Sequence, residues 1–173
     1  GVVGEMLIWE NMIGEQLRER AKAGIWIDQP AAMIEAEALI ERFDVRCEGP
    51  DAETRLLSGG NIQKLILARS LSRQPRLLIA NQPIRGLDEG AIAYVQSQIL
   101  AAKEQGAGVL LISEDLDELF DISDRIAVLY HGTLLGPFAV DELNVAEVGL
   151  MMSGASSAPG NTTPASETMA EAG

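Results

Sequence analysis

The chain has 173 residues, 47% hydrophobic but only 4% aromatic, and a formal net charge of −13. At that length one domain is the natural count, with a core expected to be aliphatic. The acidic balance argues against a nucleic-acid partner, which needs a basic footprint, and the lone Cys47 excludes an internal disulfide framework and fits a reducing cytoplasm. No stretch approaches the roughly 18 consecutive apolar residues of a membrane span. The start lacks the basic region and apolar run of a secretory leader. The chain opens with Gly1 in sequence that reads as mid-domain, so an upstream segment is expected.

In chain order, residues 4–24 place Met6, Leu7, Trp9, Met12, Ile13 and Leu17 at helical spacing and predict an amphipathic helix broken near Gly14. Pro30 suits the first turn of a second helix, 31–43, whose inner side is Met33, Ala36, Leu39, Ile40 and Phe43. Residues 44–56 read as a polar connection punctuated by Gly49-Pro50, with Cys47 as a loop thiol. Helices at 59–73, 90–104 and 115–121 then alternate with strands at 76–80, 108–112 and 125–130. His131-Gly132 predicts a hairpin turn into Thr133-Leu134-Leu135, with His131 exposed, and a last helix covers 140–152. From Ser153 the chain is rich in Ser, Ala, Thr, Pro and Gly and is expected to be disordered. Apolar strands separated by helices indicate a mostly parallel sheet covered on both faces, an α/β fold.

The chemistry centres on Leu57-Ser58-Gly59-Gly60-Asn61-Ile62-Gln63-Lys64. Ser58 is a good N-cap, and two glycines let a ligand approach the helix start without a Cβ in the way. Free N–H groups and the positive helix end there suit a terminal phosphate. A simple cap is the alternative. Further on, Leu77-Leu78-Ile79-Ala80 leads into Asn81-Gln82-Pro83, then Gly86-Leu87-Asp88, and Val109-Leu110-Leu111-Ile112 leads into Ser113-Glu114-Asp115.

In that order these segments resemble the signature, Walker B, D-loop and switch-loop segments of an ATP-binding cassette (ABC) ATPase. The forms LSGGNIQK, NQPIRGLD and LLISEDLDE look most like the carboxy-terminal cassette of the fused double-cassette ATPases that drive simple-sugar and nucleoside importers. The resemblance covers Gly4 to Gly154 and implies a P-loop NTPase-type lobe, incomplete here. It divides into a partial helical subdomain (1–56), the carboxy-terminal part of the cassette core (57–152) and the tail (153–173).

A P-loop needs G-x-x-x-x-G-K-[ST], and none of Lys22, Lys64 and Lys103 follows a glycine. In the family that loop lies upstream of the helical subdomain, so this chain alone is expected to be inactive. Asn81 and Gln82 stand where the family usually has Asp and Glu. The first of those carboxylates supports Mg²⁺, and the second is the base or water-positioner for attack on the γ-phosphate. Asn81 lacks the charge that favours a divalent cation, and Gln82 can hold a water without taking its proton. The alternative is a pair of strand-end amides satisfied by backbone. Glu114 replaces the switch histidine, and an ionised glutamate would be repelled by the γ-phosphate. It also suits a helix N-terminus. These three changes make the chain's own half-site look degenerate.

The signature residues Ser58, Gly59, Gly60, Asn61 and Gln63 are intact. By resemblance they serve, in trans, the ATP of a partner lobe, an amino-terminal cassette or second ATPase lobe. Asp88 of the D-loop would reach across the same interface, or be a turn carboxylate. Arg69 and Arg73 read as a solvated or salt-bridged face. The resemblance further implies ATP and Mg²⁺ shared with the partner, transmembrane permease subunits, a solute-binding protein indirectly, and a peripheral place on the cytoplasmic face of the membrane. Two other readings are a non-hydrolysing structural or regulatory lobe and a soluble cassette acting on DNA or ribosomes. The charge speaks against the last.

Overall fold

The computed structural model describes residues 1–14, 28–155 and 162–164. The chain forms two compact units, Gly1–Ile112 and Ser113–Gly173.

In the first unit α1 (Ile8–Ile13) buries Ile8, Trp9, Met12 and Ile13. Its opening N–H groups go to carbonyls of the following connection: Ile8 N donates to Ala52 O at 3.0 Å and Trp9 N to Pro50 O at 2.9 Å. That connection is therefore a structured wall. Thr54 N returns to Met6 O at 3.0 Å, Leu7 bridges Glu53, and a short 3₁₀ turn follows at Thr54–Leu56. At its centre lies a buried polar knot. The Asn11 carboxamide accepts from Val3 N at 2.9 Å and donates to Val3 O at 2.9 Å and Thr54 Oγ1 at 2.8 Å. Thr54 is fully buried, so its hydroxyl depends on that bond. The part of the expected first helix beyond Gly14 lies outside the described residues until Asp28.

Helix α2 (Gln29–Arg42) starts on the Asp28 carboxylate, which accepts from Ala31 N at 3.1 Å, with Pro30 in the first turn. It buries Ala32, Ala36 and Leu39, with Phe43 following. It ends with Asp44 at φ 49°, Asp44 N on Glu41 O and Val45 N on Ile40 O, a left-handed cap made without glycine. Helix α3 (Gly59–Leu71) buries Leu65, Leu67, Ala68 and Leu71. Strands β1 (Leu77–Asn81) and β2 (Gly108–Ile112) pair in parallel, Leu77 opposite Gly108 and Asn81 opposite Ile112, with α4 (Glu89–Glu104) as the crossover.

The sheet departs from the expectation of two covered faces. Leu78 is buried, but Leu77, Ile79, Leu110 and Ile112, which alternate on the other face, are 46–60% exposed. Among the described residues nothing covers that apolar face, and the sheet is split. The parallel pair stands in the first unit and an antiparallel sheet in the second.

The second unit carries α5 (Leu116–Ile122), β3 (Arg125–Tyr130), β4 (Thr133–Ala139), α6 (Val145–Met152) and β5 (Thr162–Pro164), in strand order β3-β4-β5. His131 (φ 46°) and Gly132 (φ 81°) make the hairpin turn, both left-handed as a tight hairpin requires, and His131 is exposed as expected. Val128, Leu135, Val148 and Met151 form the core, with Leu116, Phe120, Phe138 and Leu143 packed against it. The single helix expected over 140–152 is two elements. Asn144 and Glu147 exchange side-chain-to-backbone bonds of 3.0 Å in a capping box, so α6 starts only at Val145, after a 3₁₀ turn at Val140–Glu142. Of the tail, Ser153 to Ala155 cap α6, with Gly154 at φ 73° against the Tyr130 ring, and Thr162–Pro164 pair with β4. The rest of the tail lies outside the described residues. Among the described residues no helix is long and apolar enough to cross a membrane.

Replacing Asn11 by alanine strands the Thr54 hydroxyl and the Val3 amide. Asn11→Ala is expected to lower unfolding stability by about 2–3 kcal/mol, read as a shifted urea midpoint at unchanged slope.

Candidate functional site

The Ser58 turn presents a helix N-terminus to solvent. Ser58 Oγ accepts from Asn61 N at 3.4 Å and from Asn61 Nδ2 at 2.9 Å, while Ile62 N closes the first helical bond on Ser58 O at 2.9 Å. Neither the Gly59 nor the Gly60 amide donates to any described group. A Cβ on Gly59 would meet nothing within 4 Å, and one on Gly60 would stand 3.4 Å from the Ala91 Cβ, an ordinary contact. Packing within the chain therefore does not demand either glycine. Two orphan donors at the positive end of a 13-residue helix, with open space above, fit a phosphate.

Asn61 has a second task. Its Oδ1 accepts from Arg46 N at 2.8 Å, so one carboxamide joins the cap serine to the segment that follows α2. Gln63 is half-buried one position from Lys64. The start of α4 stands beside Gly60, where Asp88 Oδ1 accepts from Ala91 N at 2.9 Å as the N-cap. The structure thus brings together Ser58, Gly59, Gly60, Asn61 and the Asp88 cap.

Asn81 ends β1, exposed. Gln82 follows at φ 50°, its N–H donating to Ile112 O at 2.8 Å. Neither side-chain amide makes a hydrogen bond among the described residues. The ladder thus holds Gln82 in a left-handed conformation that costs an ordinary residue about 1 kcal/mol. The residues present do not fit Mg²⁺. Asn81 is neutral, and among the described residues no group of three or more His, Cys, Asp or Glu stands together.

Glu114 belongs to the second unit and is exposed. Its neighbour Asp115 caps α5, with Oδ1 accepting from Glu118 N at 3.1 Å, and Ser113 Oγ accepts from Asp115 N at 3.1 Å. Sequence reasoning missed Glu118, four residues beyond Glu114, because its place beside Asp115 and Asp117 in the short helix expected at 115–121 gives no sign of burial. It is 1% exposed, and neither carboxylate oxygen has a hydrogen-bond partner. Burial pushes its carboxyl up, the Ser113 hydroxyl opposes that rise, and the Asp115 carboxylate adds to it. Cys47 is a half-buried loop thiol, pushed up by burial against a weaker opposing bond from the Gly49 backbone.

No family model matches the chain. The glucose import ATP-binding protein TsgD13 of Haloferax volcanii is 45% identical over 157 residues, covering 89% of this chain and 28% of the relative. The nucleoside import ATP-binding protein NupA of Lactococcus lactis is 40% identical over 156 residues, covering 89% of this chain and 31% of the relative. The chain belongs to the ATP-binding cassette family. It spans about three tenths of the length of these curated relatives. In fold it is similar to the ADP conformation of MJ1267, an ATP-binding cassette of an ABC transporter, with TM-score 0.61 at 22% identity over 87% of this chain and 60% of that one. The cassette fold of the P-loop NTPase type is thereby established, with Ser58-Gly59-Gly60 opening the helix that follows the amino-terminal helices.

Glu118 generates a pH prediction for this cassette. The folded carboxyl holds its proton more tightly than the unfolded one. Stability is therefore fullest below the unfolded value and falls as pH rises toward the folded one. Glu118→Gln is expected to flatten that fall and to add on the order of 1 kcal/mol at neutral pH, read by urea unfolding at about pH 5 and about pH 7.5.

Proposed function

We propose that this cassette is part of the ATP-hydrolysing subunit of an importer for a simple sugar or nucleoside. In that subunit it lends its signature turn to the ATP held by a partner cassette. The observation that carries the reading is the pair of unbonded amides at Gly59 and Gly60, with nothing within 4 Å of a Cβ placed on Gly59. Such a turn has no internal use for its glycines, and an anion arriving from outside supplies one. The relatives named for glucose, nucleoside and guanosine import support the solute class.

In this reading residues 1–56 form the helical subdomain that meets the permease, 57–152 the cassette core and 153–173 the tail. The protein sits on the cytoplasmic face of the membrane, with the solute-binding protein as an indirect partner. ATP, with Mg²⁺, supplies the γ-phosphate whose transfer to water drives the cycle. Gly59 and Gly60 would donate to that phosphate, Ser58 and Asn61 would hold the donors in place, and Gln63 and Asp88 would flank the contact. The chain's own half-site is degenerate. Asn81 brings no charge for Mg²⁺, Gln82 takes no proton, and Glu114 repels a γ-phosphate. The strained backbone of Gln82 supports a retained site geometry with altered chemistry. A non-hydrolysing regulatory lobe is the second reading, favoured by the same three residues.

The test is Mg-ATP hydrolysis by the full-length natural protein. Gly60→Asp is expected to reduce kcat by about 10²–10³-fold, the scale of losing a transition-state amide donor, and Gln82→Ala to change it by less than about threefold. A Gln82→Ala defect as large as that of Gly60→Asp would place the chemistry at the half-site assigned here as degenerate. Gly59→Ala separates folding from function. It is expected to leave stability within about 0.5 kcal/mol, because its methyl meets open space, while lowering turnover at least about tenfold.

A further inference from the structure

Lys64 of α3 turns away from solvent, its side chain 14% exposed in a chain rich in acid. Its Nζ donates to Asp44 Oδ2 at 2.5 Å and to Asp44 O at 2.8 Å, and lies 4.6 Å from the centre of the Tyr94 ring. Tyr94 belongs to α4, the helix that Asp88 opens, and its hydroxyl donates to Phe43 O at 2.8 Å. Three elements therefore meet at one ammonium: the left-handed end of α2 at Asp44, the signature helix α3 and the D-loop helix α4. The Lys64 ammonium lowers the Asp44 carboxyl from its ordinary value, by hydrogen bond first and by charge second.

Asn61, one helical turn before Lys64, ties the same α2 segment to the cap serine through Arg46 N. Lys64 and Asn61 are thus two rungs along one face of α3, three residues apart. The second rung fixes the rotation of the helix about its axis, and with it the direction of the Gly59 and Gly60 amides. An isolated ion pair with an exposed carboxylate contributes little stability. Here the backbone carbonyl and the aromatic face add direction, which is a matter of register more than of energy.

We propose that Lys64 is a positioning residue that sets the signature turn in register against α2 and α4, an inference that rests on the cassette reading above. It touches no substrate. Its effect on turnover passes through the amides it aligns.

The experiment uses the full-length natural protein with Lys64→Met, Lys64→Arg, Asp44→Asn and the Lys64→Met/Asp44→Asn pair, and with Gly60→Asp as control. Lys64→Met keeps the apolar stem and removes the ammonium. The expected result is a fall of about tenfold in kcat per folded molecule with KM within about twofold, partial rescue by Lys64→Arg, and a double variant no worse than Lys64→Met alone. Hydrogen exchange at Arg46, Asn61 and Ile62, whose amides have partners at this junction, is expected to quicken in Lys64→Met while residues 67–71 keep their protection. An unchanged kcat in Lys64→Met, or additive losses in the double variant, overturns the inference. If Gly60→Asp itself keeps turnover, the cassette reading fails instead. The exchange measurement still decides the register, and unchanged exchange at Arg46, Asn61 and Ile62 overturns it.

Discussion

A helix that offers its amino terminus to a ligand cannot use that terminus to hold itself in place. In this cassette the amides of Gly59 and Gly60 are left without partners, so the position of α3 has to be fixed from its flank. Asn61 does the first part of this. One carboxamide accepts from Arg46 N and donates to Ser58 Oγ, linking the cap to the chain that leaves α2. Because an amide has both a donor and an acceptor end, it can bridge two partners with no added charge beside the proposed anion site. A carboxylate at position 61 would accept from Arg46 N equally well but would set a negative charge beside the phosphate proposed to bind there.

The same constraint explains why the α2 end is built as it is. Asp44 sits at φ 49°, a conformation that glycine adopts more cheaply. Glycine would close the helix and leave Lys64 with the backbone carbonyl alone. The strain at Asp44 is thus offset by the contact its carboxylate makes with Lys64, which glycine would lack. Asp44, Arg46, Ser58, Asn61, Lys64 and Tyr94 form one connected set around the signature turn, and the apolar packing of Leu65, Leu67 and Ala68 lies beneath it.

The elements were largely legible because periodicity reports which face of a segment is apolar. The sequence spans for α3, β1, α4, β2, α5 and β3 agree with the structure to within about two residues, the usual uncertainty of helix ends. The glycine pair was legible for the same local reason, a cap serine before an apolar run. What was not legible depends on pairing across the chain. Asn11 and Thr54 are polar residues, one in an expected amphipathic helix and one in an expected polar connection, yet they bury each other across 43 positions. Lys64 and Asp44 are 20 positions apart, and Asn61 and Arg46 are 15. Nothing in the spacing of a single segment encodes such partners. Glu118 hid differently: beside Asp115 and Asp117 in a short expected helix, its charge gave no sign of burial, while Leu116 and Phe120 of the same helix pack onto the core.

The two halves of the candidate chemistry now contrast in kind. The signature turn keeps donors unpaired and supports them with a network that has no other evident purpose. At Asn81 and Gln82 the backbone geometry is kept, including the left-handed Gln82 locked to Ile112 O, while both side chains are neutral. A drift toward mere strand-end structure would be expected to relax Gln82, because an extended residue there would avoid the cost of the left-handed region. The strain persists because the ladder bond and the Pro83 turn fix it. Under the function proposed above, this is a nucleotide half-site that keeps its shape without its charges, as a lobe needs if it must still close against a partner whose own site does the chemistry.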